Sequence, residues 1–314
     1  MSDKLHVIFG TGPVGMAILD ELAKQGQRVR MVNRSGKTSE PLPSGVEVMA
    51  GNVADPAFAS HAAAGASVIY NALNPAYSQW VALFAALQAG AIAAAAANHA
   101  KLVVMDNLYM YGDPQGQPMS EERPHQAHTK KGQLRAAMAR DLLAAHHAGR
   151  VQVVVGRAAD FIGPRVWVSA LGGDLVIKPA VQGKAAQVVG DIDTPHSYTY
   201  MPDIGRALVA LAADERAFGQ VWHLPTPPAV STRRMLELIY AAAGHPLKVQ
   251  VAPKWLLRLV GLFNPDAREV VEMVYEFEQP FLIDDRKFRH HFGWGATDLE
   301  TVIGETVGWF QGRV

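Results

Sequence analysis

The 314-residue chain has no cysteine, which excludes disulfides, thiol nucleophiles and cysteine-bound metals. It carries no surplus charge of either sign. Its 29 Lys and Arg balance 29 Asp and Glu, so a nucleic-acid partner has no electrostatic support. Long hydrophobic runs are also missing: the longest, Ala89 to Ala97, is too short and alanine-rich to cross a membrane. The first residues lead directly into an apolar strand and leave no room for a signal peptide, so the expectation is a cytoplasmic protein without a membrane partner. There is no His-x-x-x-His motif with a glutamate. The pairs His146-His147 and His290-His291 place neighbours on different sides of a helix, so no metal is expected.

What is present concentrates between Lys4 and Arg34. Leu5 to Phe9 reads as a buried strand, Gly10-Thr11-Gly12-Pro13-Val14-Gly15 as a turn, and Met16 to Lys24 as a helix with Ile18, Leu19 and Leu22 on one face. Arg28 to Val32 reads as a second strand. In this strand–turn–helix–strand context G-x-G-x-x-G predicts a dinucleotide site. Gly10 permits the tight turn, Gly12 lets a pyrophosphate approach the backbone, and Gly15 lets helix and sheet pack closely. The helix start offers N–H groups and a partial positive charge, and Pro13 fits the first turn, where no donor is needed.

The second strand ends in Asn33-Arg34-Ser35, with Lys37 following. An NAD site usually has an acidic residue here for the ribose hydroxyls. Asn33 is neutral and Arg34 suits a phosphate, which predicts NADP as cofactor, with NAD the alternative.

Further strands are expected at Val46–Ala50, Val68–Asn71, Lys101–Met105 and Val151–Val155, with long helices at Tyr77–Asn98 and Thr129–His147. This rhythm predicts an α/β fold, a Rossmann-type doubly wound parallel sheet, with a smaller mixed C-terminal substrate domain. Residues 1–160 would form the NADP-binding domain, with 185–225 returning to it. Residues 161–184 and 226–314 would bind substrate. Helices are also expected at Asp203–Ala213, Ser231–Ala243, Lys254–Leu262, Asp266–Phe277 and Thr301–Phe310, and a strand at Gln220–Leu224.

Taken together, GTGPVG, the GNVADP segment after strand three, Tyr111-Gly112, Gly156-Arg157 with Gly163-Pro164-Arg165, YTYMPDIGRALVAL and the tail from Asp284 resemble the extended short-chain dehydrogenase/reductase superfamily. That group includes NAD-dependent epimerases and dehydratases. The resemblance covers nearly the whole chain and rests on the order and spacing of these motifs. It implies that Asn52 and Val53 flank the adenine. Asn71, Ala72 and Leu73, with Asn74, would line the ribose and phosphates, and Phe161 would approach the nicotinamide.

One departure stands out. The superfamily places a Ser or Thr after strand five and Tyr-x-x-x-Lys on the next helix. The serine position here is Asn107. Four residues before Lys130 is Gln126, and four before Lys131 is Ala127, so the tyrosine is absent in either register. Periodicity favours Lys131 as the inward lysine, because it shares a stripe with Leu134, Met138 and Leu142. Catalytic candidates are therefore Lys131, Asn107 and Tyr109, with Tyr111, His125 and His128 as weaker proton donors. Asp191, Asp193 and His196 read as an exposed polar turn near substrate. Trp167 suggests an apolar wall beside the nicotinamide. A run of basic residues for a nucleotide diphosphate is lacking, although Arg157, Arg165 and Lys178 soften that objection.

The expected function is an NADP-dependent oxidoreductase reducing a carbonyl or activated double bond of a small apolar molecule. An inactive NADP-binding sensor is the alternative, and a sugar-nucleotide epimerase or dehydratase the third option. A homodimer through the helices at 77–98 and 129–147 is a further expectation from the resemblance.

Overall fold

The computed structural model describes residues 4–253, 263 and 271–314. In chain order its first elements are β1 (Leu5–Phe9), α1 (Pro13–Lys24), β2 (Arg28–Asn33), β3 (Glu47–Ala50), α2 (Pro56–Ala62), β4 (Ala66–Asn71), α3 (Trp80–Ala97), β5 (Lys101–Asp106), α4 (Lys130–His147) and β6 (Val153–Arg157). Next come β7 (Asp160–Ile162), α5 (Lys178–Val181), β8 (Ala186–Val189), β9 (Pro195–His196), β10 (Tyr198–Tyr200), α6 (Met201–Ala213) and β11 (Val221–His223). The last labelled elements are β12 (Val230–Ser231), α7 (Thr232–Ala242) and β13 (Val249–Ala252), and two helices follow at Arg286–Phe292 and Leu299–Gln311.

Seven strands form one sheet in the order β11-β6-β5-β4-β1-β2-β3, and the pairings from β3 through β6 are parallel. The order reverses at β1, so the crevice for a ligand opens at the carboxyl ends of β1 and β4. These strands are nearly continuous apolar runs because helices cover them on both faces. Val7, Phe9, Ile69, Leu102, Val104, Val153 and Val155 pack with Ala59, Ala62, Ala91, Ala94 and Ala95 of α2 and α3. Small residues let these helices approach closely. At Gly90 a Cβ would lie 1.7 Å from the Val53 carbonyl oxygen. Tyr77–Ala97 is long and apolar enough by composition to cross a membrane. Ala91, Ala94 and Ala95 of this helix sit in the core, whereas Ala82, Ala85, Ala86 and Ala89 are exposed.

The chain separates into two compact units. The first comprises residues 1–109, 133–157 and 204–222; the second comprises 110–132, 158–203 and 223–314. The expected return of 185–225 is therefore shorter than the sequence suggests. Residues 186–189 instead pair in parallel with β13, and β10 pairs with β7. The second unit has its own core, including Ile162, Val176, Ile177, Tyr198, Met235, Ile239 and Phe310. Within it Trp167 packs edge-on against Trp309 and Phe310.

Most element ends match the sequence reading to within a residue or two. Tyr77–Gln79 is a separate 3₁₀ turn ahead of α3, where the sequence suggests one helix. The helix read at Lys254–Leu262 lies outside the described residues. So do residues 266–270 of the helix read at Asp266–Phe277, whose end is a 3₁₀ turn over Val274–Phe277.

Candidate functional site

The glycine turn connects β1 to α1, and each glycine meets a different constraint. Gly10 has φ +110°, and a Cβ there would lie 2.7 Å from the Ala72 carbonyl oxygen, so β1 and the end of β4 meet without a side chain between them. At Gly15 a Cβ would stand 2.1 Å from the Gly10 carbonyl oxygen. Gly12 differs from both: a Cβ would meet nothing within 4 Å. Gly12 is the N-cap of α1, no side chain caps that helix, and Pro13 and Val14 form its first turn. Free amides beside open space suit the pyrophosphate of a dinucleotide.

The loop after β2 is ordered by one side chain. The Asn33 amide nitrogen donates to Thr11 Oγ1 at 2.8 Å and to the Lys37 carbonyl at 2.7 Å. Its oxygen accepts from the Ser35 and Gly36 amides at 3.0 and 2.6 Å. An aspartate could not donate those two bonds. Arg34 is exposed beside Ser35 and Lys37. On the other side of the crevice, Asn71 is buried and its oxygen accepts from the Leu73 amide, while the Ala72 amide donates to Phe9. Asn52 accepts from the Ala54 amide, and Val53 is buried in the core.

The carboxyl ends of β5 and β6 hold a buried polar cluster. Asp106 lies 3.3 Å from Arg157 and 3.4 Å from Arg135. The Arg135 guanidinium lies 4.6 Å from the Trp80 ring centre and 4.1 Å from that of Phe84. Asn107 follows Asp106, and its side-chain oxygen accepts from the Tyr109 amide. The Tyr77 hydroxyl donates to the Tyr109 hydroxyl at 3.0 Å. Asn107 and Tyr109 thus lie in the same unit as the glycine turn. Arg135 escaped the sequence reading, although its spacing four residues after Lys131 puts a charge on an inward stripe, which demands a counter-charge.

In the second unit, at the start of α4, Lys131 is fully buried and Lys130 exposed. Lys131 Nζ lies 2.8 Å from Glu272, whose carboxylate also accepts from the backbone amides of Lys130 and Lys131. Thr129 Oγ1 accepts from the Gly132 amide. An anion at a helix start is favourable, and this one also neutralises a buried ammonium. Glu272 stands 141 residues from Lys131, so no local pattern could have announced it.

Other expected residues take packing roles. The Tyr111 hydroxyl is buried 2.7 Å from His223 Nε2. His125 and His128 lie against the rings of Tyr111 and Tyr275. Phe161 lies on β7, paired with Thr199. His196 is a correction: it does not sit on an exposed turn. It is buried in β9 with Nε2 2.8 Å from Asp160 and Nδ1 3.2 Å from the Glu276 carbonyl, and its ring stacks on Phe277 and Phe281. Burial, with Asp160 nearby, holds the Glu276 carboxyl well above the usual range. Asp193 pairs with Arg233 at the surface.

The sequence model of the NAD dependent epimerase/dehydratase family matches residues 7–223. The chain belongs to that family. No sequence among curated proteins matches it. Its fold is that of solved family-type structures. A UDP-N-acetylglucosamine 4-epimerase from Methanobrevibacter ruminantium in complex with UDP-N-acetylmuramic acid has TM-score 0.80 and 17% identity, covering 100% of both chains. A dTDP-glucose 4,6-dehydratase from Bacillus anthracis in complex with NAD has TM-score 0.79 and 15% identity, covering 99% of this chain and 97% of that one. A Thermus thermophilus UDP-glucose 4-epimerase complex with NAD has TM-score 0.78 and 17% identity, covering 99% and 100%. The match to the family model begins inside β1 and ends on β11, so it takes in the whole glycine turn and the β2 loop.

Proposed function

We propose that the protein is an NADP-dependent oxidoreductase that reduces a carbonyl or an activated double bond of a small, fairly apolar molecule. The observation that carries the cofactor assignment is the loop after β2. Asn33 donates to Thr11 and Lys37, where the carboxylate usual in an NAD site could not, and Arg34, Ser35 and Lys37 would surround the 2′-phosphate. Gly10 to Gly15 would hold the pyrophosphate, Asn52 and Val53 the adenine, and Asn71 to Leu73 the ribose side. Phe161 would border the nicotinamide, and Lys131 would hold its ribose. When bound, the reduced nicotinamide supplies the hydride.

Family membership favours a second reading, an epimerase or dehydratase of a sugar nucleotide, as in the solved relatives. Two features weigh against it. Arg157 is occupied by Asp106, and His196 is held by Asp160, so these groups do not present free positive charge to a diphosphate. The missing tyrosine favours a third reading, an NADP-bound sensor without catalysis. The protein is taken to be cytoplasmic and homodimeric through the helices at 77–98 and 129–147, where Val81 of α3 is exposed.

The test is NADPH consumption, followed by absorbance, with a panel of aldehydes, ketones and enones, and product analysis of UDP- and dTDP-sugars incubated with the oxidised coenzyme, because epimerisation and dehydration consume no net reductant. Turnover of an apolar carbonyl or enone supports reduction. Epimerised or dehydrated sugar nucleotide overturns it in favour of the second reading, and tight NADPH binding without turnover of any compound favours the sensor.

A further inference from the structure

Losing the usual tyrosine leaves the reduction without an acid on α4. The cluster at the ends of β5 and β6 contains another phenol and another cation. We propose that Tyr109 is the proton donor of this site and that Arg135, one helical turn beyond Lys131, is the positioning cation that sets its acidity. This assignment rests on the redox reading above and names the residue that completes it.

Three observations converge. First, Tyr109 is only partly buried and sits two residues after Asn107, which holds its backbone amide. Second, the Tyr77 hydroxyl donates to the Tyr109 oxygen at 3.0 Å. A donated hydrogen bond stabilises a phenolate more than a phenol. Third, Trp80 joins the two groups: its ring lies 5.8 Å from that of Tyr109 and 4.6 Å from the Arg135 guanidinium. Arg135 is 7% exposed, and its Nε has no hydrogen-bond partner. Its nearest carboxylate, Asp106, is shared with Arg157.

Burial acts to lower the Arg135 pKa, and charges on Asp106, Tyr109 and Tyr77 oppose that effect. The interaction is reciprocal. If a phenolate at Tyr109 favours the charged guanidinium, the guanidinium favours that phenolate by the same free energy. The seat on Trp80 and Phe84 fixes this charge in a water-poor place, where it acts over a longer distance than a solvated one would.

The step is a simple exchange. As the substrate oxygen gains negative charge from the arriving hydride, the O–H bond of Tyr109 breaks and an O–H bond forms on the product. The phenolate left behind, stabilised by Tyr77 and Arg135, takes a proton from water. The reduced nicotinamide dinucleotide supplies the two electrons and water the proton, leaving hydroxide, so atoms and electrons balance.

The first measurement needs neither cofactor nor substrate. Phenolate absorbance is followed against pH for the parent protein, Tyr109→Phe, Tyr77→Phe, Arg135→Met and Arg135→Lys. The step lost in Tyr109→Phe should move up by about one pH unit or more in Arg135→Met. It should return toward the parent in Arg135→Lys and shift by less in Tyr77→Phe. Met preserves packing on the aromatic rings, and Lys preserves the charge, so the pair separates misfolding from electrostatics. An unmoved step in a folded Arg135→Met protein overturns the couple. The second measurement is turnover on any substrate found in the panel. Tyr109→Phe should lower kcat by about 10²- to 10⁴-fold with NADPH affinity retained, and the alkaline limb of the pH profile should follow the Arg135 variants. Full turnover in Tyr109→Phe overturns the acid role, whereas no turnover by the parent protein removes the redox reading itself.

Discussion

The starts of α1 and α4 present the same backbone chemistry and opposite solutions to it. Both helices begin with amides that lack intrahelical partners. At α1 no side chain caps them, and Gly12 stands beside open space. At α4 the carboxylate of Glu272 accepts from two of them and from the buried Lys131 ammonium. One helix start is left without a side-chain cap, and the other is closed by the protein's own carboxylate. The difference teaches that a helix N-terminus is informative only when its capping groups are known. Glycines make the open one readable, and a distant glutamate makes the closed one invisible in sequence.

The sharpest way to break the comparison is at the open end. Gly15→Ala drives a methyl group into the Gly10 carbonyl, and it should cost about 3 kcal/mol or more in chemical denaturation because backbone cannot yield. Gly12→Ala meets nothing, so it should leave stability nearly unchanged while weakening NADPH binding at least tenfold by titration. If both variants lose only stability, the turn is structural rather than a ligand cradle.

At the closed end, Glu272→Gln should cost about 1–3 kcal/mol, less than for a fully buried pair because the carboxylate side chain is 25% exposed. Adding Lys131→Met should recover much of the loss. Additive losses in the double variant would mean that the two groups are not coupled. Smaller in energy is the effect at the loop beside α1. Arg34→Ala should weaken NADPH about 10- to 100-fold and NADH by no more than about 3-fold, and equal losses would end the NADP assignment. The smallest effect is at β1, where His6 is held at a pKa of about 4 by burial and then by Lys4. The unfolded chain binds this proton at an ordinary value near 6.5, so stability should fall as pH drops from about 6.5 to about 4. His6→Gln should flatten that part of a thermal-unfolding profile.

Much of the sheet was legible because its evidence is local. Strand apolarity, glycine spacing and helical stripes place β1 through β6 and select Lys131 over Lys130. The second unit was harder. Its strands are two to four residues long and pair with distant partners, as β8 does with β13, so neither periodicity nor turn chemistry reveals them. The site divided in the same way. The readings at Gly10 to Arg34 rest on local spacing, but the interactions of Asp106, Arg135 and Glu272 depend on residues brought together by the fold. His196 was misread for that reason, since its polar neighbours in sequence point away from the aromatic stack that buries it.

The amide of Asn33 has a consequence for anyone wishing to retrofit the protein to the other nicotinamide coenzyme. One nitrogen ties Thr11, in the glycine turn, to Lys37, in the loop after β2. Exchanging Asn33 for aspartate would sever the tie to Lys37 and set a carboxylate against its carbonyl, and the tie to Thr11 would survive only with the hydroxyl turned to donate. The glycine turn and the loop after β2 are therefore joined like a hinge with a single pin: any change at residue 33 requires the Thr11–Asn33–Lys37 connection to be rebuilt as a whole.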